Sequence, residues 1–194
     1  MRKAEFKRKT KETDISITLD VDGTGVYAVE TGIGFFNHML ELFSRHSLID
    51  LDVRTIGDVF VDCHHTVEDT AITLASAMKK ALGNKEKICR YGFASIPMDE
   101  ALTNVTVDLS GRPYTVFNCP VSQGRMGEMD FETIEEFIVA FSNNLGANIH
   151  VNVLYGSNRH HIAESIFKGL ARSLRQAVSI DNKEEGIPST KGEI

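Results

Sequence analysis

Two short runs carry the densest chemistry in the chain: Asp62-Cys63-His64-His65-Thr66-Val67-Glu68 and Asn158-Arg159-His160-His161-Ile162-Ala163-Glu164. In each, a pair of adjacent histidines precedes a glutamate. On a helix, residues three and four apart are neighbours, so each glutamate lies beside both of its imidazoles. Adjacent histidines themselves diverge by about 100° around a helix of 3.6 residues per turn, and one ion cannot readily take both. The doubled His-His-x-x-Glu pattern therefore points to two metal ions, with each pair dividing its imidazoles between them. Imidazoles and carboxylates without thiolates suit Mn, Fe, Co or Zn. Only neutral imidazole ligates, so binding should fail below a pH of about 6.5.

Further ligands are expected nearby. His38, in Gly34-Phe35-Phe36-Asn37-His38-Met39-Leu40, is the best additional candidate, and Glu136, in Ile134-Glu135-Glu136-Phe137, aligns with it across an internal repeat. Asp62 and Asn158 read as N-caps of the two helices. His46 reads as the end of its helix, His150 as structural or site residue on an alternating strand, and Cys63 as a small buried side chain.

The elements that must position these groups come in two copies. Residues 12–23 match residues 100–111: both alternate apolar and polar (Ile15, Ile17, Leu19, Val21; Val105, Val107, Leu109) and end at a turn glycine, the pattern of half-buried strands. Helical spacing follows in Phe35, Phe36, Met39, Leu40, Phe43 and again in Phe131, Ile134, Phe137, Ile138, Phe141. Alternating strands come next at Ile49, Leu51, Val53 and at Ile149, Val151, Val153. Each half closes on its cleanest helix, striped by Val67, Ala71, Leu74, Met78 and by Ile166, Leu170, Leu174, Val178. The order is strand, strand, helix, strand, helix, with a further short strand expected near residues 4–7 and 93–96. Residues 1–90 and 91–194 thus form an internally duplicated α+β fold, two sheet/helix halves related by pseudo-twofold symmetry. Gly83-Asn84 is the helix stop between them. A half of fewer than about 100 residues buries only a marginal core, so the halves must pack together or oligomerise.

Composition narrows the partners. The 194 residues hold 27 Asp and Glu against 21 Lys and Arg, a net charge of −6, which argues against a nucleic-acid backbone as partner. Hydrophobic residues at 42% and charged residues at 25% are those of an ordinary globular chain. No apolar run approaches the roughly 18–20 residues that cross a bilayer, so no membrane role is expected. The basic N-terminus lacks the apolar stretch of a signal peptide. Cys63, Cys89 and Cys119 show no paired spacing and read as reduced thiols. A cytoplasmic protein is expected.

Taken with Arg8-Lys9-Thr10-Lys11-Glu12-Thr13, Ile96-Pro97-Met98-Asp99-Glu100, Asp108-Leu109-Ser110-Gly111-Arg112-Pro113 and Pro188-Ser189-Thr190-Lys191-Gly192, the histidine motifs make the chain resemble imidazoleglycerol-phosphate dehydratase of histidine biosynthesis over essentially its whole length. The resemblance implies a ribosomal S5 domain 2-like fold, a twenty-four-subunit shell with sites shared between subunits, and elimination of water from imidazole glycerol phosphate to give imidazole acetol phosphate. It implies two Mn²⁺ per active site and no organic cofactor. One ion would take His64, His160, Glu164 and residue 136; the other would take His38, His65, Glu68 and His161. Many relatives carry His where this chain has Glu136. Glu164 and Glu12 are the implied proton-moving carboxylates, and Glu12 also meets substrate. Arg90, Arg112, Ser189 and Lys191 would bind the phosphate; on spacing alone the last two lie in a frayed tail, which as a loose segment would order over substrate as a lid.

The chemistry agrees with two metals. The hydrogen to be removed lies on a carbon without a carbonyl, so no enolate forms. Cations at both ring nitrogens would instead stabilise an imidazolate that expels hydroxide through a diazafulvene-like species. Two rival readings use the same ligands: a dinuclear metallohydrolase acting on a phosphate ester, and a non-enzymatic assembly whose His-His-x-x-Glu pairs merely join subunits through metal.

Overall fold

The fold described here is a computed structural model covering residues 2–121 and 123–194. The first half runs β1 (Lys3–Lys9), β2 (Thr13–Asp20), β3 (Tyr27–Glu30), α1 (Gly34–Ser47), β4 (Asp50–Gly57) and α2 (His64–Leu82). The second repeats it as β5 (Tyr91–Met98), β6 (Ala101–Asp108), β7 (Tyr114–Asn118), α3 (Glu132–Leu145), β10 (Asn148–Tyr155) and α4 (Arg159–Ala177). Between β7 and α3 the second half adds a small hairpin, β8 (Arg125–Met126) and β9 (Met129–Asp130). The short strands expected near residues 4–7 and 93–96 are β1 and β5.

Each half folds a four-stranded sheet, β1-β2-β4-β3 in one and β5-β6-β10-β7 in the other. Pairing is antiparallel except for β3 with β4 and β7 with β10. A parallel neighbour needs a crossover, and α1 and α3 supply the two crossovers. Strand alternation sends Ile15, Ile17 and Leu19, and likewise Val105 and Val107, to the buried face.

The helices pack crosswise between halves: α1 lies against α4, and α2 against α3. Aromatic rings of α3 fill the space between these helix pairs, meeting α1 and α4. Phe36 meets Phe137 with centroids 5.9 Å apart and Phe43 meets Phe141 at 6.1 Å, while Phe137 reaches Phe167 at 4.9 Å. All of these side chains are fully buried. Each half completes its core only by contributing helices to the other's, which is the physical reason that one half would be marginal.

At the helix starts the duplication is exact in hydrogen bonding and one residue out in boundary. Asn158 is the N-cap of α4, its side chain accepting from the His160 N–H at 2.9 Å. Asp62 accepts from the His64 N–H at 2.7 Å, yet the cap position of α2 falls on Cys63, whose backbone is already helical. Asp62 therefore performs the capping bond expected of it from one position farther out. Among the described residues, no helix is long and apolar enough to cross a membrane.

Candidate metal centre and active site

The crosswise packing delivers α1 and α4 to one another, and with them His38, His160 and Glu164. His38 Nε2 and His160 Nε2 each lie 2.9 Å from the same oxygen, Glu164 Oε1. One ligand atom from each of the three residues falls within 4.8 Å of the other two. Donors bonded to one cation at about 2.1 Å lie within about 4.2 Å of each other, so small side-chain rotations would let a divalent ion replace the protons now shared with Oε1. The donor set of two imidazoles and one carboxylate fits Mn²⁺ or its neighbours.

Glu164 is the electrostatic centre of this group. Its side chain is only 7% exposed. Burial pushes its carboxyl upward, but donors from Lys168, His38 and His160 outweigh that and hold it down at about 2. Lys168 Nζ bonds Oε2 at 2.5 Å from one helical turn away. The carboxylate is therefore charged throughout the physiological range.

In both histidine pairs the rings diverge as helical geometry demands, with interplanar angles of 89° for His64 and His65 and 85° for His160 and His161. His64 Nε2 faces Glu68 Oε2 at 3.9 Å, both half-exposed. His65 turns toward Asp58, with Nδ1 3.0 Å from Oδ2, and toward Glu12 Oε2 at 3.9 Å. The Asp58 bond, opposed by desolvation and aided by Glu12, raises the His65 pKa. His161 turns to the β5–β6 turn, with Nδ1 2.6 Å from Glu100 Oε2. That contact, with the Ser157 and Asn158 backbone N–H groups, holds Glu100 down at about 2, and in return Glu100 raises His161.

The chain thus presents His38, His160, His161 and Glu164 on α1 and α4, and His64, His65 and Glu68 on α2, with half-buried Glu136 on α3 where the repeat aligns it with His38. Among the described residues, no hydrogen bond or ion pair joins a member of one group to a member of the other. The ligand assignment implied by the family resemblance takes two residues from each group for each ion, and it separates His38 from Glu164. In the folded chain those two are bonded, because Glu164 is buried and takes the nearest donors.

The other expected residues gather at the opposite end of the second sheet. Arg90 Nε bonds Asp108 Oδ1 at 2.8 Å, and Nη1 bonds the Pro188 carbonyl at 2.9 Å. Arg112 and Lys191 are exposed and Ser189 is partly exposed. A Cβ on Gly111, whose φ is +78°, would lie 2.6 Å from the Ile194 backbone carbon, so the chain's end rests on the turn that carries Arg112. The tail is tied down rather than frayed: Lys87 N–H also bonds the Gly186 carbonyl at 2.7 Å, and Ile194 packs against the core. Strand β6 separates this cationic end from Glu100 and the His161 ring bonded to it. Its eight residues span about 24 Å at about 3.4 Å per residue.

His46 sits in the last turn of α1, where burial first, then Lys168 and Arg172, lower its pKa. His150 lies against Tyr114 on the sheet, five residues before the end of β10, away from the histidine pairs. Cys63 is buried, and burial raises its thiol pKa. Three residues at the site were not singled out from sequence. Glu100 had a signal, since it stands in the second repeat where Glu12 stands in the first. Lys168 had a weaker one, four residues beyond Glu164. Asp58, in the loop after β4, had none.

The sequence model of imidazoleglycerol-phosphate dehydratase matches residues 31–174. The chain is 56% identical over 195 residues to imidazoleglycerol-phosphate dehydratase of Rhodopseudomonas palustris strain TIE-1, covering 100% of this chain and 99% of that protein. It is 51% identical to the same enzyme of Methylorubrum populi, with full coverage of both. Among solved structures, the Staphylococcus aureus dehydratase superposes with a TM-score of 0.84 at 36% identity, covering 92% of this chain and 99% of that one. The Pyrococcus furiosus enzyme, solved in complex with (S)-C348, gives 0.84 at 34% identity, covering 97% and 99%.

Proposed function

Because the chain belongs to the imidazoleglycerol-phosphate dehydratase family, the hydro-lyases of histidine biosynthesis, we propose that it dehydrates imidazole glycerol phosphate to imidazole acetol phosphate at a site holding two Mn²⁺ ions. The observation that carries the metal part is the convergence of His38 and His160 on buried Glu164, supported by the second His-His-x-x-Glu group on α2. Bound there, the ions would supply Lewis acidity at both nitrogens of the substrate ring. His38, His64, His65, Glu68, Glu136, His160, His161 and Glu164 are the proposed ligands.

The chain's own groups divide the remaining work. Lys168 holds Glu164 through Oε2 and leaves Oε1 directed at the two imidazoles. Glu12 is exposed at the β1–β2 turn with its carboxylate within 4 Å of His65, a place from which it can move a proton to or from the substrate carbon or its departing oxygen. Arg90, Arg112, Ser189 and Lys191 bind the phosphate, and Arg90, fixed by Asp108 and bonded to the Pro188 carbonyl, also secures the tail that carries Ser189 and Lys191.

A phosphorylated imidazole of this size cannot bridge the length of β6, about 24 Å, between the Glu100–His161 end of a chain and its own cationic end. The site is therefore proposed to form between subunits, the metal ligands of one meeting the phosphate-binding end of another, within the twenty-four-subunit shell expected of the family. A cytoplasmic location goes with this reading.

The test is metal content per chain measured on material active toward imidazole glycerol phosphate. Two Mn²⁺ per chain and a ketone product absorbing in alkali are expected. Fewer than about one ion per chain in active protein would sink the metal reading, and release of free phosphate would instead identify a phosphate-ester hydrolase.

A further inference from the structure

The internal repeat places a carboxylate turn beside the second histidine of each pair, and the two copies have diverged. In the first half, Glu12 lies in the β1–β2 turn near His65; in the second, Glu100 lies in the β5–β6 turn against His161. Glu100 grips its ring at 2.6 Å, whereas Glu12 stands off at 3.9 Å and Asp58 takes the ring instead at 3.0 Å. In both cases the atom held is Nδ1, and among the described residues Nε2 makes no hydrogen bond, although exposed Asp99 Oδ2 stands 3.7 Å from that of His161.

Resting on the two-metal reading above, we propose that Glu100 and Asp58 are positioning residues, which accept the Nδ1–H of His161 and His65 and so fix each ring with Nε2 presented to its ion. The physical need is general: a neutral imidazole has two tautomers, and an acceptor on one nitrogen selects the one whose other nitrogen is free to ligate. The two acceptors are held differently, Glu100 by backbone amides and Asp58 by burial. Glu100 Oε1 receives the Ser157 and Asn158 N–H groups just before α4 begins, so its other oxygen is aimed by the same segment that starts the ligand helix. The Asp58 side chain is 14% exposed, and its Oδ1 is buried without a hydrogen-bond partner. An acidic group kept there at that expense is held for what Oδ2 does, and Oδ2 bonds His65.

The substitution of Asp58 for the repeat-related carboxylate also explains why Glu12 differs from Glu100. With His65 already held, Glu12 is released from ring-holding and stays exposed at the site, its carboxylate free to meet substrate. Glu100, bound by a ring and two backbone amides, has no such freedom.

The experiment titrates Mn²⁺ into metal-stripped native, Glu100→Ala, Glu100→Gln, Asp58→Ala and Asp58→Asn proteins, reading free Mn²⁺ by electron paramagnetic resonance. Thermal melting of the metal-free forms runs alongside. The amide variants keep an acceptor oxygen and remove the charge, so they separate ring-holding from simple attraction. Each alanine variant should weaken one of the two ions by about 10–100-fold, leave the other ion unchanged, and melt with the native metal-free protein. The amide variants should recover most of that loss. Native affinity at both ions in Glu100→Ala would overturn the proposal, as would an amide variant no better than alanine, or equal weakening of both ions with a lowered melting temperature. If the native protein itself binds no Mn²⁺, the two-metal reading has failed rather than this one.

Discussion

Two variants that are each inactive should restore one another when their subunits are mixed. Glu164→Gln disables the histidine cluster on α1 and α4, and Arg112→Ala disables the phosphate end. In the folded chain Glu164 lies beside the start of the eight-residue strand β6, where Ser165 bonds Thr103, and Arg112 lies beyond its end; the strand itself spans about 24 Å at about 3.4 Å per residue. If one site draws its cluster from one subunit and its cationic end from another, a random equal mixture contains sites whose two contributing subunits each carry the intact half. Each contribution is intact with even odds, so about one quarter of native activity should return in a closed symmetric oligomer. The variants are purified separately, dissociated, mixed with different affinity tags, reassembled with Mn²⁺ and isolated through both tags in sequence. Activity on imidazole glycerol phosphate is then compared with each variant alone. Doubly tagged particles no more active than the parent variants would refute the strand-length reasoning, since a site built within one subunit gains nothing from mixing.

Four further outcomes are expected. In metal-free protein, Glu164 falls from 4.5 to about 2 on folding, equivalent to about 3 kcal/mol. A depressed carboxyl stabilises fully above its unfolded value, so denaturant titrations should show the native advantage over Glu164→Gln intact at pH 5 and fading as pH falls through about 4 toward 2. Phe137→Ala opens the seam among Phe36, Phe141 and Phe167 and should cost about 3–5 kcal/mol by chemical denaturation; a loss below 1 would mean the halves are held by something else. Lys191→Ala should raise KM severalfold, and truncation at Gly186 at least as much, whereas an unchanged KM in steady-state assays removes the tail from the phosphate site. EDTA should dissociate the particle as it inactivates it, seen by light scattering, and a full-size metal-free particle would show that metal does not join subunits.

How much of this was legible beforehand follows the range of the interactions. Helix periodicity and spacing are local, so the two His-His-x-x-Glu groups, their mutual divergence and the capping bonds of Asp62 and Asn158 could be read directly; only the boundary at Cys63 shifted. The repeat was equally open, because strand alternation and helical stripes are written in consecutive residues. A phosphate role for Arg112, Ser189 and Lys191 is suggested by family resemblance alone, since a turn and a polar tail carry no periodicity. The anchoring of that tail by Arg90 and Gly111 was not readable at all.

What the amino-acid order determined alone was the pair of His-His-x-x-Glu helix starts and the duplicated α+β plan, since both depend on neighbours within a few positions. What tertiary structure decided was which side chains share an atom. Crosswise packing of α1 on α4 puts His38 and His160 on one oxygen of Glu164, and a loop without periodic signal hands His65 to Asp58. Those meetings join residues up to 126 positions apart. They are fixed by where buried aromatic surfaces can pack, which no local pattern encodes.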